Sequence, residues 1–142
     1  MQEYIDFVTN NPMLAGAWVV IAAMLIHSVV KAKLSKTTNI NPQEATLLIN
    51  KQDAIVVDVR SAEEFKKGHI VNAKNVTVSQ IDEGKFAAIE NNKKTPIIVV
   101  CATGTRSGGA GDKLAKAGFE QVNNLFSGMS GWSAANLPTT KK

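Results

Sequence analysis

An uncharged apolar segment near the N-terminus restricts the possible folds of this chain more than any other feature. The residues from Pro12 to Val30 include no Asp, Glu, Lys or Arg, and most of them are apolar. As a helix, this segment would be about 28 Å long, close to the roughly 30 Å hydrocarbon core of a membrane. A helix in a soluble core seldom extends this far without a charge. We therefore predict a transmembrane helix over residues 12–30, after a short tail at 1–11.

A cleaved signal peptide is the main alternative for this segment. Signal peptides begin with basic residues, and small residues form their cleavage site. This chain begins instead with Glu3 and Asp6, and no convincing site of that kind follows the apolar segment. We therefore favour a retained, single-pass anchor.

The lysines that follow the segment predict its orientation. Lys31, Lys33 and Lys36 come directly after it, and basic residues are enriched on the cytoplasmic side of membrane spans. The N-terminus would then lie outside and the rest of the chain in the cytoplasm, most simply at a bacterial inner membrane. We interpret residues 31–40 as a basic juxtamembrane linker, with a polar stretch over 37–40.

Small residues within the segment would allow close packing against a second membrane helix. They are Ala15, Gly16, Ala22 and Ala23. A membrane protein is therefore one expected partner.

Charge and cysteine content exclude several other classes of function. The formal charge is +4, but the excess is partly juxtamembrane and otherwise scattered, and aromatic residues make up only 6% of the chain. Without a basic stripe, we expect no nucleic-acid binding. The single cysteine excludes an internal disulfide and a cysteine-based zinc site. We expect no metal and no cofactor.

Strand and helix patterns alternate over residues 41–138, which predicts an α/β fold with a mostly parallel central sheet flanked by helices. Asn41-Pro42 and Ser61 are typical helix starts, Ser61 having capping-box spacing. Residues 139–142 are predicted to be a tail. The predicted strands are Ala54–Val59, Val76–Val78, Ile97–Val100 and Gln121–Leu125, and further helices are predicted from Ser79 toward Asn91 and from Ser107 to Gly118.

The sequence Cys101-Ala102-Thr103-Gly104-Thr105-Arg106 follows the buried strand pattern Ile97–Val100. Active sites of parallel sheets lie beyond the carboxyl ends of the strands. Gly104 permits a tight turn, Arg106 supplies a permanent positive charge near the sulfur, and the helix that follows offers free backbone N–H groups. A lone cysteine after branched apolar residues is most often an inert core residue. The accompanying glycine, arginine and helix start favour a nucleophile.

These residues resemble the rhodanese-like sulfurtransferases, in a single-domain form with a membrane anchor. Val57-Asp58-Val59-Arg60, Glu64-Phe65 and Gly68-His69-Ile70 are similar to the first signature of that family, and Cys101–Ser107 is similar to its active loop. The resemblance continues through Gly118-Phe119, Leu125, Gly128 and Trp132. It covers residues 41–138.

The resemblance implies that Cys101 takes a sulfane sulfur from a donor such as thiosulfate, becomes a persulfide, and passes the sulfur to a thiol or cyanide. The expected donor is a small sulfur-containing anion, and the expected thiol acceptor is a small molecule or a protein. Backbone N–H groups of Ala102, Thr103, Gly104, Thr105 and Arg106 would hold the terminal sulfur, and Arg106 would attract the donor. Asp58, Arg60 and His69 are interpreted as structural.

Two other functions fit the same residues. Cysteine phosphatases also use a cysteine and an arginine, but five residues separate the pair in their loops, whereas four separate Cys101 from Arg106 here. The smaller loop favours sulfur over a phosphoryl group. The other alternative is an adaptor, in which the fold serves as an interaction module at a membrane protein complex.

Overall fold

A computed structural model of the chain describes residues 1–141, and the side chains of 31–34 lie outside this description. Lys31 and Lys33, which are predicted to flank the span, belong to that group, and Lys142 of the predicted tail also lies outside it. The chain forms two compact units, Met1–Ser35 and Lys36–Lys142.

The first unit consists of two helices, α1 over Gln2–Asn10 and α2 over Pro12–Leu34. Within α2, the part from Pro12 to Val30 has the length and composition of a membrane span, and none of it is buried inside the structure. The same properties fit a signal sequence, so the helix is a candidate for either role.

The second unit is an α/β domain. Its strands are β1 (Thr37–Ile40), β2 (Ile55–Asp58), β3 (His69–Ile70), β4 (Lys74–Asn75), β5 (Ile97–Val100), β6 (Val122–Leu125) and β7 (Thr139–Thr140). Its helices are α3 (Pro42–Gln52), α4 (Ala62–Lys67), α5 (Val78–Asp82), α6 (Thr105–Lys116) and α7 (Gly128–Ala134), with a 3₁₀ turn at Glu90–Asn92.

Five of these strands form a parallel sheet in the order β1-β6-β5-β2-β4. β5 lies at its centre and is buried at every position. β3 and β7 form a separate antiparallel pair. The predicted α/β fold with a mostly parallel sheet flanked by helices is confirmed.

Alternating side chains of β5 belong to two hydrophobic cores, because successive residues of a strand point to opposite faces. Ile97 and Val99 pack with Leu114 of α6, and Cys101 continues this face. Ile98 and Val100 pack on the other face in a cluster that includes Trp132 of α7. The cysteine therefore lies on the α6 side of the sheet.

Local capping explains where three helices begin. Asn41, Ser61 and Thr77 each accept a hydrogen bond from the backbone N–H three residues later, and the side chain at that later position bonds back. Each pair satisfies N–H groups that a helix start leaves without partners. The helix starts predicted at Asn41 and Ser61 are therefore confirmed.

The prediction of a linker over 37–40 is wrong, because Thr37–Ile40 forms the edge strand β1 and pairs in parallel with β6. Only Ile40 of this strand is buried. An edge strand with a single buried side chain shows almost no apolar pattern.

Three further elements differ from prediction. The strand predicted at Val76–Val78 lies at Lys74–Asn75, because the Thr77 capping box begins α5 at Val78. α5 ends at Asp82 and does not continue toward Asn91, since Gly84 turns the backbone with φ 70°. Residues 139–140 of the predicted tail pair with β3.

Candidate functional site

Cys101 lies directly after β5, at the carboxyl edge of the parallel sheet, and only 1% of its surface is exposed. Its carbonyl accepts a hydrogen bond from Met129 N at 2.8 Å, and the Ala102 carbonyl accepts one from Ser130 N at 3.1 Å. The first turn of α7 therefore holds the start of the loop Cys101–Arg106, called the Cys101 loop below.

Gly104 makes the turn of the Cys101 loop possible. Its φ is 93°, and a β-carbon there would lie 1.9 Å from the carbonyl oxygen of Phe126. Only glycine fits both the conformation and the space. The turn brings Gly104 N to 3.0 Å from Cys101 Sγ, to which it donates.

The surroundings of the sulfur favour a thiolate. Burial raises the pKa of the Cys101 thiol, but hydrogen bonds from the Ser107 hydroxyl and from the backbone N–H groups of Ser107, Thr103 and Gly104 lower it by more. The net pKa lies below the ordinary value of 9.0. Donors directed at one sulfur atom stabilise the charged form and leave the neutral thiol without equal benefit.

Arg106 is directed less toward the sulfur than the sequence suggests. Its Nη2 lies 3.4 Å from Glu64 Oε1 of α4, and both side chains are substantially exposed. Glu64 raises the pKa of Arg106, and the charge of Cys101 adds to this effect. The guanidinium therefore contacts a carboxylate, and its effect on the sulfur is secondary.

The other predicted loop residues contribute backbone groups. Thr103 and Thr105 are exposed, Ala102 is half-buried, and Thr105 is the first residue of α6. Of the N–H groups predicted to hold sulfur, those of Thr103 and Gly104 act on the Cys101 thiolate. Contact of the Ala102, Thr105 and Arg106 N–H groups with a transferred sulfur remains a prediction.

Sequence reasoning missed the polar pair behind the sulfur. Ser107 Oγ lies 3.3 Å from Cys101 Sγ and 2.5 Å from Asn124 Oδ1 of β6. Asn124 Nδ2 donates to the Gly104 carbonyl at 3.1 Å and to Asn39 Oδ1 at 2.9 Å. The available signal was an asparagine pair within the otherwise apolar pattern of β6, since a polar residue in a central strand needs partners.

Asp58 and Arg60 make the contacts that their structural interpretation predicts. Arg60 Nη2 donates to Asp58 Oδ2 and to the Gly68 carbonyl, both at 2.7 Å, and both charged side chains are buried. His69 also fits its structural interpretation, because its Nδ1 lies 2.7 Å from the Phe65 carbonyl and its ring stacks on Phe65. These contacts hold the segment after β2.

An open groove of about 430 Å³ lies beside the Cys101 loop. Arg106 lines one side of it. The residues on its other sides are Val59, Ser61, Ala62, Thr77, Val78 and Ser79. Among residues 1–141, no group of His, Cys, Asp and Glu side chains is placed to hold a metal ion.

Comparison with known proteins identifies relatives of the domain and of the whole chain. The family model described as the rhodanese-like domain matches residues 41–135. An uncharacterised Escherichia coli K12 protein, YibN, is 39% identical over 141 residues, covering 99% of both chains. The thiosulfate sulfurtransferase GlpE of Coxiella burnetii is 31% identical over 91 residues, covering 64% of this chain and 82% of its own.

A solved structure shares the fold. The rhodanese-related protein of Thermoplasma volcanium superposes with a TM-score of 0.62 at 30% identity, covering 74% of this chain and 99% of its own.

Proposed function

Because the chain belongs to the rhodanese-like family, we propose that it is a membrane-anchored sulfurtransferase in which Cys101 carries the sulfur. Its relationship to a thiosulfate sulfurtransferase supports sulfurtransferase activity in general. The proposal adds the anchor, the residue that reacts, and the class of donor and acceptor.

One observation carries the proposal. The Cys101 sulfur lies at the focus of the Gly104 N–H at 3.0 Å and the Ser107 hydroxyl at 3.3 Å, at the edge of a parallel sheet where ligands bind. An inert core cysteine needs no such donors. A thiolate, which is the reactive form, is stabilised by them.

The proposed reaction has two steps that conserve charge and atoms. The Cys101 thiolate attacks the outer sulfur of thiosulfate, the S–S bond breaks, and sulfite leaves with the bonding electrons. This leaves a Cys101 persulfide anion. An acceptor thiolate then attacks the outer sulfur, takes it as a new persulfide, and restores the Cys101 thiolate. Arg106, which borders the groove, would attract the anionic donor.

The test is the intact mass of the full chain in detergent after incubation with thiosulfate. We expect a gain of one sulfur atom that a reducing thiol removes, and no gain in Cys101→Ser. Because the chain has one cysteine, the site of the gain is unambiguous. No gain in folded, reduced protein, with thiosulfate or with a polysulfide, would contradict the proposal.

The membrane part of the proposal rests on Pro12–Val30, whose composition suits a span, and on Lys31, Lys33 and Lys36 after it. We propose one crossing, with the domain on the cytoplasmic side. Protease added to spheroplasts should leave the domain intact, whereas protease added to inverted membrane vesicles should degrade it. A protein released from washed membranes, or one shortened at its N-terminus, would indicate a signal sequence instead.

The burial of the sulfur favours a second candidate function, that of an adaptor at a membrane protein complex. Cys101 is 1% exposed, and Arg106 is engaged with Glu64. A cell that carries Cys101→Ser separates the two functions. An adaptor would keep its cellular role, and a sulfurtransferase would lose it.

A further inference from the structure

One buried hydroxyl of the site has two acceptors within reach and a single proton to donate. Ser107 Oγ lies 2.5 Å from Asn124 Oδ1 and 3.3 Å from Cys101 Sγ. Ser107 is 0% exposed and Asn124 is 4% exposed, so bulk water does not compete for this proton. A serine has one O–H, and it serves one of the two acceptors at a time.

The other contacts of Asn124 establish which of the two acceptors receives the Ser107 proton in the structure. Asn124 Nδ2 faces the Gly104 carbonyl at 3.1 Å, and a carbonyl only accepts. Oδ1 therefore faces Ser107. Two oxygen atoms at 2.5 Å need a proton between them, and an amide oxygen has none. Ser107 consequently donates to Asn124 while the sulfur is neutral, and its bond to Cys101 Sγ belongs to the thiolate.

The charge of the sulfur changes which of the two acceptors attracts the Ser107 hydroxyl more strongly. A protonated Cys101 can donate its S–H to Ser107 Oγ, while Ser107 donates to Asn124, so that each donor has an acceptor. An anionic sulfur has no proton to give and attracts donors more strongly than a neutral oxygen does. If Ser107 turns to it, Asn124 Oδ1 loses that donor.

We propose that Asn124 is a positioning residue of this site: it holds the Ser107 hydroxyl while the sulfur carries a proton and competes with the sulfur for that hydroxyl when the sulfur is an anion. The inference rests on the proposed function, because the Cys101 thiolate is the form that reacts in it. Asn124 itself does not contact a substrate.

The charged groups near Cys101 come from few elements. Arg106 of α6 interacts electrostatically with the sulfur and is engaged with Glu64 of α4. Asp58 of β2 is paired with Arg60. The sequences of β6 and α7, which both hydrogen-bond to the loop, contain no charged residue. A substitution that keeps all of these groups isolates the contribution of the hydroxyl.

The test is a double-mutant cycle on the pKa of Cys101 in the full chain in detergent. Ultraviolet absorbance of the thiolate against pH gives the midpoint, with Cys101→Ser as the blank. The variants are Ser107→Ala, Asn124→Leu and the double variant. Leucine has the same branched arrangement of side-chain heavy atoms as asparagine but no hydrogen-bond acceptor. It also removes the amide contacts to Gly104 and Asn39, so the single variant alone would mix these losses with the effect on the hydroxyl.

The cycle separates these effects, because the Gly104 and Asn39 contacts are lost in both backgrounds and the hydroxyl is present in only one. We expect Asn124→Leu to move the midpoint further toward low pH when Ser107 is present than in the S107A background. The difference should be about 0.7 pH unit, the equivalent of one ordinary hydrogen bond. Equal shifts in the two backgrounds would overturn the proposal.

A second measurement needs no change at Asn124. The ¹³C signal of its side-chain carbonyl should titrate with the Cys101 midpoint, because the oxygen loses a hydrogen bond when the sulfur ionises. In Ser107→Ala this titration should disappear. A signal that is constant with pH in the unsubstituted chain would contradict the inference. Both measurements follow ionisation alone, so they stand even if thiosulfate adds no sulfur, which would count only against the proposed function.

Discussion

Replacing Gly104 by alanine should destabilise the domain by about 2–5 kcal/mol. The new β-carbon would lie 1.9 Å from the Phe126 carbonyl oxygen, a distance that must open to at least 3.0 Å. Phe126 N donates to the Ile40 carbonyl of β1 at 3.0 Å, so moving this segment strains the edge of the sheet. The left-handed backbone costs alanine about 1–2 kcal/mol, and overpacking adds about 1–3 kcal/mol.

Gly84→Ala is the matched control. Gly84 also has a positive φ, 70°, but nothing lies within 4 Å of a β-carbon there. This variant should lose only the backbone part, about 1–2 kcal/mol. The difference in unfolding free energy between the two variants isolates the effect of the contact with Phe126.

Thermal unfolding of the full chain in detergent, followed by circular dichroism, measures that difference. Gly104→Ala should unfold at least about 4 °C below Gly84→Ala, since about 1 kcal/mol shifts Tm by about 4–8 °C in a domain of this size. The pKa of Cys101 should rise in Gly104→Ala alone, because the Gly104 N–H moves away from Sγ. Equal melting temperatures and an unchanged pKa would refute the reasoning.

Three other predictions concern α6 and the Cys101 site. Gly109 is exposed within α6 with open space around it, so Gly109→Ala should raise the unfolding free energy by about 0.5–1 kcal/mol. A lower unfolding free energy, measured by chemical denaturation, would contradict this. Glu64→Gln frees Arg106 from an exposed pair and should lower the KM for thiosulfate about two- to fivefold with kcat unchanged. An unchanged KM would exclude competition by Glu64. The lowered pKa of Cys101 means that the unfolded chain binds more protons between that pKa and about 9. The unfolding free energy of the unsubstituted chain relative to that of Cys101→Ser should therefore rise with pH over this interval and stay constant above it. A fall over the same interval would contradict a lowered pKa of Cys101.

Elements with local signals could be predicted from the sequence. α3 and α4 begin where their capping residues Asn41 and Ser61 indicate. β5 can be predicted from its unbroken apolar run, and the loop after it can be predicted from the residues that succeed Cys101. In each case the determining interaction lies within a few residues along the chain.

Features that depend on distant residues could not be predicted. β1 pairs with β6, more than eighty residues later, and buries one side chain. The engagement of Arg106 by Glu64 joins α6 to α4, and the bond from Ser107 to Asn124 joins α6 to β6. Predicting each of these contacts requires knowledge of which strands and helices are neighbours in the fold, and the periodicity of the sequence does not supply it.

The construction of the Cys101 loop separates reactivity from selectivity. The groups that lower the pKa of Cys101 are backbone N–H groups and the buried Ser107 hydroxyl, whereas the side chains of Thr103 and Thr105 are exposed. Substitutions at these two positions would reshape the entrance without removing a donor from the thiolate. The same sulfur chemistry could thus be retained while the loop is adapted to a different donor or acceptor.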